Sequence, residues 1–327
     1  MSGPAESRQP PVDRSPPLLI LAGATATGKT GLSIRLADAL RDEGVPAEII
    51  SADARQVYRG LDIGTAKVDR ATRERIRHHG IDVVDPDIRY SVADFAGHAA
   101  TALLGMAAGG LVVLVGGTGL YLRAVGRGLA LDSLPSDPTI RGQLELDLAA
   151  DGARAQADRL VAVAPCLASR TDLRNPRRVI RALEIALLRG DGPLPPPLGY
   201  PGPSAWLGLH APTSLHRTWI EGRAREQFDR GLLDEARSLR ERWDPGLPAF
   251  TAIGYHEAWA VLDGSLDREA AIRLDVQRNV AFARRQRTWL RSEPDIEWLD
   301  ATADQLPAAL AAAHRLLRSA ERAARVS

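Results

Sequence analysis

The chain has 327 residues, of which 45% are hydrophobic and 25% are charged, and this composition is ordinary for a soluble globular protein. No apolar run approaches the roughly 20 residues that a membrane helix needs. A single cysteine, Cys166, excludes an internal disulfide framework and a cysteine-based zinc cluster. The net charge of +1 argues neither for nor against a nucleic-acid partner. Together these features predict a protein of the reducing cytoplasm with no membrane partner.

The chain begins with residues 1–17, which are rich in proline and polar residues and lack the apolar segment of a secretory signal, so we expect a flexible tail. Apolar runs then predict strands at 17–23, 47–53, 81–86, 111–117 and 204–210. Helical patterns at Lys29–Glu43 and Val92–Ala108 separate several of these runs. Apolar strands that alternate with helices predict a parallel α/β sheet with helices on both faces.

The interval between the last two predicted strands is too long for a simple crossover. It contains a helical, polar pattern with no strand-like run, and it ends in a stretch rich in proline and glycine. We therefore expect a helical insertion domain at 136–199 within an α/β core formed by 18–135 and 200–327. After the last predicted strand, helical patterns occur at 214–242, 250–263, 267–291 and from about 303.

Residues 23–30, the phosphate loop, read GATATGKT and fit the pattern G-x-x-x-x-G-K-[ST] between an apolar strand and a helix. The glycines let backbone N–H groups turn toward phosphate oxygens, and the following helix presents the positive end of its dipole. Lys29 would reach the terminal phosphate, and Thr30 would help to hold Mg²⁺. The pattern predicts a P-loop-type core.

The fourth predicted strand ends without the carboxylate that a nucleotide hydrolase would use to hold the water of its metal. The segment runs LVVLVGGTGLY, and glycines and Thr118 follow the apolar residues. Hydrolysis of a nucleoside triphosphate is therefore not favoured. Small-molecule kinases on this fold often lack the acid as well, so a kinase stays open as an alternative.

Asp53 comes at the end of the second predicted strand, in IISADARQVY. Open α/β sheets bind ligands at the carboxyl ends of their strands, so this carboxylate would lie near the phosphate loop. It is a candidate general base that accepts a proton from an incoming nucleophile. An aspartate here is equally typical of a helix N-cap, and position alone leaves both interpretations open.

Two stretches are locally basic, Arg170–Arg181 and Gln277–Arg291, and the second has five arginines and no acid. Arg284, Arg287 and Arg291 recur at helical spacing and would form one cationic stripe. Such arginines either solvate a helix or contact the phosphates of a nucleic acid. Each cluster taken alone favours the first interpretation.

Seven segments occur in an order that resembles the tRNA dimethylallyltransferases, also called tRNA isopentenyltransferases. They are GATATGKT (23–30), SADARQVYRGLDIGTAK (51–67), SVADF (91–95), VGGTGLYLRA (115–124), RRVIRALE (177–184), AIGY (252–255) and RRQRTWLR (284–291). The resemblance covers roughly residues 18–300. The second, fourth and last segments together are highly specific.

The resemblance implies transfer of a dimethylallyl group from its diphosphate to N6 of adenosine 37 of tRNA, with Mg²⁺ as cofactor and release of diphosphate. The residues that would bind the diphosphate are Gly23, Ala24, Thr25, Ala26, Thr27, Gly28, Lys29 and Thr30. Asp53 matches the general base of the family, and Thr118 matches a position that contacts the diphosphate. Arg223 matches an arginine implicated in catalysis, although Arg225 is close enough to be the true counterpart.

The same resemblance implies that basic residues bind the anticodon stem-loop. The matching positions are Ala54, Arg55, Gln56, Arg141, Arg177, Arg178, Arg181, Arg284, Arg285, Arg287 and Arg291. Contacts with backbone phosphates would give an affinity that weakens with salt. We expect a monomer. Besides the kinase, the rival interpretations are an isopentenyltransferase that acts on free adenine nucleotides and a nucleic-acid-binding module with a vestigial phosphate loop.

Overall fold

The computed structural model describes residues 15–326, and the predicted tail at 1–17 lies outside this range except for its last three residues. Within it the chain forms six strands, β1 (Leu18–Gly23), β2 (Ala47–Ala52), β3 (His78–His79), β4 (Leu111–Gly116), β5 (Ser204–His210) and β6 (Ile296–Asp300). They form one sheet in the order β3-β2-β4-β1-β5-β6, and all neighbours are parallel. The predicted parallel sheet is confirmed.

Two strands differ from the prediction. The strand predicted at 81–86 is wrong, because within that segment only Val84 forms a bridge, with Tyr58. Asp82 has a φ of 54°, which is outside the strand region, so the chain cannot stay extended there. The short β3 precedes it. The edge strand β6 was not predicted, since its five residues IEWLD contain no continuous apolar run and none of them is fully buried.

The helices are α1 (Lys29–Asp42), α2 (Arg70–Arg75), α3 (Val92–Leu104), α4 (Gly119–Gly126), α5 (Pro138–Val163), α6 (Pro165–Ala168), α7 (Pro176–Arg189), α8 (Thr213–Asp229), α9 (Leu232–Arg242), α10 (Tyr255–Leu262), α11 (Arg268–Arg291) and α12 (Leu306–Val326), with 3₁₀ helices at Leu131–Ser133 and Pro248–Thr251. Gly152 interrupts α5 with a φ of 86°. Gly231, with a φ of 100°, divides the helix predicted at 214–242 into α8 and α9, because a left-handed residue ends a helix. Every helix among residues 15–326 is too short or too polar to span a lipid bilayer.

The chain divides into two compact units. The first unit continues to Gly128, resumes at Gly199 and contains the sheet, and the second unit is Leu129–Leu198. In the first unit, α1 and α12 cover one face of the sheet around Leu36, and α3 and α4 cover the other face around Phe95. A third apolar cluster joins α8, α9, α10 and α11.

The second unit consists mainly of α5, α6 and α7 around an apolar core with one buried acid. The carboxylate of Glu184 accepts hydrogen bonds from Arg141 at 2.5 Å and from Arg181 at 2.7 Å. The backbone N–H of Asp137 and the hydroxyl of Ser136 also donate to it. Burial alone would raise the pKa of Glu184, but these hydrogen bonds lower it to about 2. The unit therefore contains a fully compensated buried charge.

Candidate active site

Three segments meet at the carboxyl edge of the sheet. Because β4 lies between β1 and β2, Gly116 of β4 is opposite both Ala22 of β1 and Ala52 of β2. The chain leaves these three strands as the phosphate loop, as the segment that begins with Asp53 and as the segment that contains Thr118. The loop, the acid and the threonine predicted for the site therefore lie side by side, where open α/β sheets bind ligands.

The backbone of the phosphate loop is bent sharply before α1. Ala26 has a φ of 59° and Gly28 a φ of 83°, both left-handed, and α1 begins at Lys29. Glycine adopts this conformation without a Cβ penalty, so Gly28 allows the turn into the helix. The first N–H groups of α1 lack partners within the helix and carry the positive end of its dipole. The loop is thus suited to an anion.

Lys29 lies over the phosphate loop. Its Nζ donates a hydrogen bond to the carbonyl of Ala24 at 2.6 Å. Burial and, to a smaller extent, the positive charge of Arg223 lower the pKa of Lys29 to about 7, although the charge of Asp53 opposes them. A bound anion favours the charged form of such a lysine. Lys29 is therefore well placed to hold a phosphate.

Side chains from α8 and α11 hold Thr25 of the phosphate loop. The Thr25 N–H donates to Oε1 of Gln286 at 2.8 Å, and its carbonyl accepts a hydrogen bond from Nε2 of His216 at 2.7 Å. Its hydroxyl accepts a hydrogen bond from Arg223 at 2.5 Å. The Thr25 N–H is consequently engaged by the protein and is not free to bind a phosphate. Sequence reasoning missed both His216 and Gln286, although Gln286 lies within the quoted segment RRQRTWLR.

Arg287 orients His216, which contacts the carbonyl of Thr25. Its Nη1 donates to Nδ1 of His216 at 2.9 Å. Since Nδ1 accepts, the proton lies on Nε2, which donates to the carbonyl of Thr25. Burial lowers the pKa of His216, and the charge of Arg287 adds to the effect. The neutral imidazole thus connects Arg287 to the phosphate loop.

Arg223 and Arg225 lie two residues apart on α8 but in different surroundings. Arg223 is half-buried beside Thr25, and burial lowers its pKa while the charge of Asp53 raises it. Arg225 is exposed and forms an ion pair with Glu269 at 3.0 Å. Of the two arginines that the sequence leaves open, only Arg223 contacts the phosphate loop.

Asp53 faces the cations of the site. It is half-buried, and its carboxylate accepts the N–H of Arg55 at 2.8 Å. Its negative charge raises the pKa of both Lys29 and Arg223, which requires that it lie near them. Residues 54–57 form turns rather than a helix. The N-cap interpretation of Asp53 is therefore wrong, and the carboxylate instead closes a turn by accepting the N–H of Arg55.

The segment after β2 is braced by Thr118 and Gln56. The Thr118 hydroxyl accepts the N–H of Ala54 at 3.2 Å. Gln56 is buried, donates to the carbonyl of Thr65 at 3.0 Å and accepts from the hydroxyl of Ser51 at 2.8 Å. The side chain of Gln56 therefore holds the protein together and is not exposed for the predicted contact with tRNA.

The glycines after β4 allow α11 to approach the site closely. A Cβ on Gly117 would lie 2.2 Å from Nε2 of Gln286, and a Cβ on Gly119 would lie 2.3 Å from the ring of Trp289. Real Cβ atoms do not make contacts this short. The sequence VGGTG is thus needed for packing, in addition to any contact that it makes with a ligand.

A family model described as IPP transferase matches residues 56–293. The chain belongs to this family. Among curated relatives, a tRNA dimethylallyltransferase from Thermosynechococcus vestitus is 40% identical over 290 residues, which cover 87% of this chain and 90% of the relative. Another from Roseiflexus sp. is 42% identical over 301 residues, which cover 89% of this chain and 95% of the relative. The resemblance that the quoted segments indicate is confirmed.

Two solved structures of tRNA-modifying transferases are similar to the chain. A tRNA isopentenylpyrophosphate transferase from Bacillus halodurans is 34% identical, with a TM-score of 0.65, and the match covers 94% of this chain and 98% of that one. A eukaryotic dimethylallyltransferase acting on tRNA is 26% identical, with a TM-score of 0.73, and the match covers 88% of this chain and 74% of that one. The fold is therefore that of these transferases.

In this IPP transferase, the arginines predicted to bind tRNA fall into two groups. The exposed group comprises Arg177, Arg178, Arg284, Arg285 and Arg291. None of these five is in an ion pair with an acid in the described part of the chain. Their charges are available to an external anion.

The second group is engaged inside the protein. Arg141 and Arg181 bind the buried Glu184, and Arg287 donates to His216. The continuous stripe predicted to include Arg287 is therefore corrected, because this side chain turns inward behind the phosphate loop. Arg55, the last of the arginines predicted to bind tRNA, donates to the carbonyl of Pro248 at 2.9 Å.

A metal in this IPP transferase would depend on the phosphate loop. Across residues 15–326, no group of three or more His, Cys, Asp or Glu could hold a metal ion. Thr30 is exposed at the start of α1, and its hydroxyl has no hydrogen-bond partner among those residues. A hydroxyl and the oxygens of a bound diphosphate are hard donors that suit Mg²⁺. The available donor therefore fits Mg²⁺ that is shared with a diphosphate.

Proposed function

We propose that this IPP transferase moves a dimethylallyl group from dimethylallyl diphosphate to N6 of adenosine 37, in the anticodon stem-loop of tRNA, and releases diphosphate. The observation that carries the proposal is that Asp53, Lys29 and Arg223 surround one phosphate loop in a chain of this family. The names of the relatives, tRNA dimethylallyltransferases, support the same reaction.

The leaving group requires positive charge, because the bond between carbon and the diphosphate oxygen breaks with both electrons left on the oxygen. Lys29, Arg223 and the N-terminus of α1 would stabilise that charge in a fixed arrangement. Thr118 would contact the same diphosphate. Mg²⁺, held by Thr30, would neutralise part of the charge on the diphosphate oxygens. The half-buried position of Lys29 and Arg223 makes each charge more effective than in water.

The nucleophile requires a base, because the lone pair of the exocyclic adenine amine is delocalised into the ring. As the bond from N6 to the allylic carbon forms, Asp53 would accept the proton that N6 loses. The adenine must leave its stack to reach this carboxylate, and a loop makes that less costly than a duplex would. Asp53 is thus the residue on which transfer depends most.

Binding of tRNA is assigned to the exposed arginines. Arg284, Arg285 and Arg291 lie on α11, and Arg177 and Arg178 lie on α7, within the helical insertion predicted at 136–199. Phosphate contacts position a nucleic acid without reading its sequence. We also expect the protein to act as a monomer in the cytoplasm.

The test is incubation of the purified protein with Mg²⁺, labelled dimethylallyl diphosphate and unmodified tRNA, followed by mapping of the labelled nucleoside. Free adenosine monophosphate and ATP are included in the same mixture as competing substrates. We expect label on adenosine 37 and an equal amount of diphosphate released. Label on free adenosine monophosphate but not on tRNA would instead indicate a nucleotide isopentenyltransferase. Consumption of ATP with no transfer of label would indicate a kinase. Either result would reject the proposal.

A further inference from the structure

Asp275 of α11 is a buried acid that the proposed reaction does not use. The residue is 1% exposed, and one carboxylate oxygen accepts a hydrogen bond from the amide of Asn279 at 2.8 Å. The other oxygen, Oδ2, is buried and has no hydrogen-bond partner among residues 15–326. A buried carboxylate without full compensation is costly, and such groups are found where they serve a purpose.

The charged groups around Asp275 come from three helices. Arg278 lies on α11, Glu257 on α10 and Arg223 on α8. Burial and the charge of Glu257 raise the pKa of Asp275 to about 6, although Asn279 and the two arginines oppose them. Glu257 has its own partners, since it accepts hydrogen bonds from Arg278 at 2.5 Å and from the N–H of Gly254 at 2.9 Å. Arg278 is thus paired with Glu257, and Arg223 is the other cation whose charge acts on Asp275, although the two form no ion pair.

Asp275 is connected to the phosphate loop through Arg223. Arg223 donates to the hydroxyl of Thr25 in the loop. Thr25, Arg223 and Asn279 line one small pocket, so the hydrogen-bond partner of Asp275 lies beside the arginine that touches the loop. Asp275 and Asp53 both raise the pKa of Arg223. One guanidinium therefore experiences two carboxylates, of which only Asp53 has an assigned role.

We propose that Asp275 is a positioning residue whose negative charge acts on Arg223 through space in the free protein, and that it takes up a proton from solvent when a diphosphate occupies the phosphate loop. This inference rests on the proposed function, because it requires a diphosphate beside Arg223. The anion brings a further negative charge to Arg223, and its repulsion with the buried charge of Asp275 is unfavourable. Protonation of Asp275 removes that repulsion without moving Arg223.

The experiment measures proton uptake when dimethylallyl diphosphate binds in the presence of Mg²⁺. Calorimetry at pH 6.5 in two buffers of different ionisation enthalpy gives the number of protons taken up. The natural protein should take up a fraction of a proton more than Asp275→Asn. Its dissociation constant should also fall about fivefold more than that of the variant between pH 8 and pH 6. Titration of Lys29 and of the ligand contributes equally to both proteins and cancels in the difference.

Asp275→Asn is a suitable variant because the amide has the shape of the carboxyl and can keep the hydrogen bond with Asn279. Asp263→Asn is the control, since Asp263 forms an exposed ion pair with Arg240 and should leave the proton count unchanged. Equal proton uptake by the natural protein and Asp275→Asn would overturn the inference while leaving the proposed function intact. Failure of the natural protein to bind dimethylallyl diphosphate would reject the proposed function and the inference together.

Discussion

The carboxyl edge of the sheet and the helical unit Leu129–Leu198 both bury arginines, but they treat the charge differently. In the helical unit, Arg141 and Arg181 share the carboxylate of Glu184, whose pKa falls to about 2. At the sheet edge, Arg223 bonds to a neutral hydroxyl, and burial lowers its pKa. The first arrangement is a closed ion pair, whereas the second leaves positive charge for an anion.

This difference shows why residue type alone does not identify a binding site. Arg141 and Arg181 match family positions predicted to contact tRNA, yet both stabilise a buried acid. Lys29 and Arg223 are destabilised as cations, which makes them responsive to a ligand of opposite charge. Function should therefore follow the cations that have no direct ion pair, and stability should follow those that have one.

The largest effect is expected from Asp53→Asn. Loss of a general base lowers the rate by roughly 10²–10⁴-fold, so kcat for transfer should fall in this range while the dissociation constant for tRNA stays the same. Single-turnover kinetics and a filter-binding titration measure the two quantities. Asp87→Asn, at an exposed position, is the matched control. Equal loss of binding and transfer would mean that Asp53 supports the fold rather than the chemistry.

Arg223→Gln and Arg225→Gln form a second pair, on one helix and two residues apart. Removal of a charge that stabilises a leaving group should lower kcat by about 10²-fold for Arg223→Gln. Arg225 forms only an exposed ion pair, so its substitution should leave the rate nearly unchanged. Steady-state kinetics with dimethylallyl diphosphate as the varied substrate measures both. If Arg225→Gln were the slower enzyme, Arg225 rather than Arg223 would act on the diphosphate.

The parts of the molecule that could be predicted from sequence are those that local patterns encode. The phosphate loop, the parallel strands and Asp53 follow from apolar runs, from glycine spacing and from the position at the end of a strand. His216 could not be found in this way, because its partner Thr25 is 191 residues away. The hydrogen bond between Arg181 and Glu184 could not be predicted for a different reason. The sequence pattern of an arginine on a helix is the same whether its side chain is exposed to solvent or paired with a buried acid.

Glu184→Gln tests the buried ion pairs of the helical unit. Because the folded-state pKa of Glu184 is about 2 and the ordinary value is 4.5, its charge stabilises the fold above pH 4.5, and that contribution is lost as the pH falls toward 2. At pH 7 the variant should be less stable by about 3 kcal/mol, and the deficit should narrow at pH 3. Urea unfolding at both pH values measures this. Asp158→Asn, an exposed position of the same unit, should show no such deficit, and a deficit independent of pH would contradict the assignment.

A pair of glycine substitutions compares the tightness of packing at the carboxyl edge of the sheet, with Gly119→Ala, and in the helical unit, with Gly142→Ala. A Cβ at Gly119 would collide with the ring of Trp289, whereas a Cβ at Gly142, within α5, would meet no atom within 4 Å. Overpacking costs about 1–3 kcal/mol, so Gly119→Ala should lower the melting temperature. Gly142→Ala should raise it slightly, because alanine favours a helix. Equal melting temperatures would show that α11 can shift away from the site at little cost.

The smallest effect, and the most specific, concerns the arginines of α11. Arg284 and Arg285 are exposed, so substituting both with Gln should weaken tRNA binding several-fold and reduce the slope of log K against log salt by about 1.5, as expected for two lost phosphate contacts. Arg287→Gln should leave that slope unchanged, because Arg287 donates to His216 behind the phosphate loop, and should instead raise the KM for dimethylallyl diphosphate. If Arg287→Gln reduced the salt slope, Arg287 would contact RNA as part of the predicted cationic stripe. An unchanged slope would separate arginines that meet RNA from an arginine that shapes the loop, although all three belong to one helix.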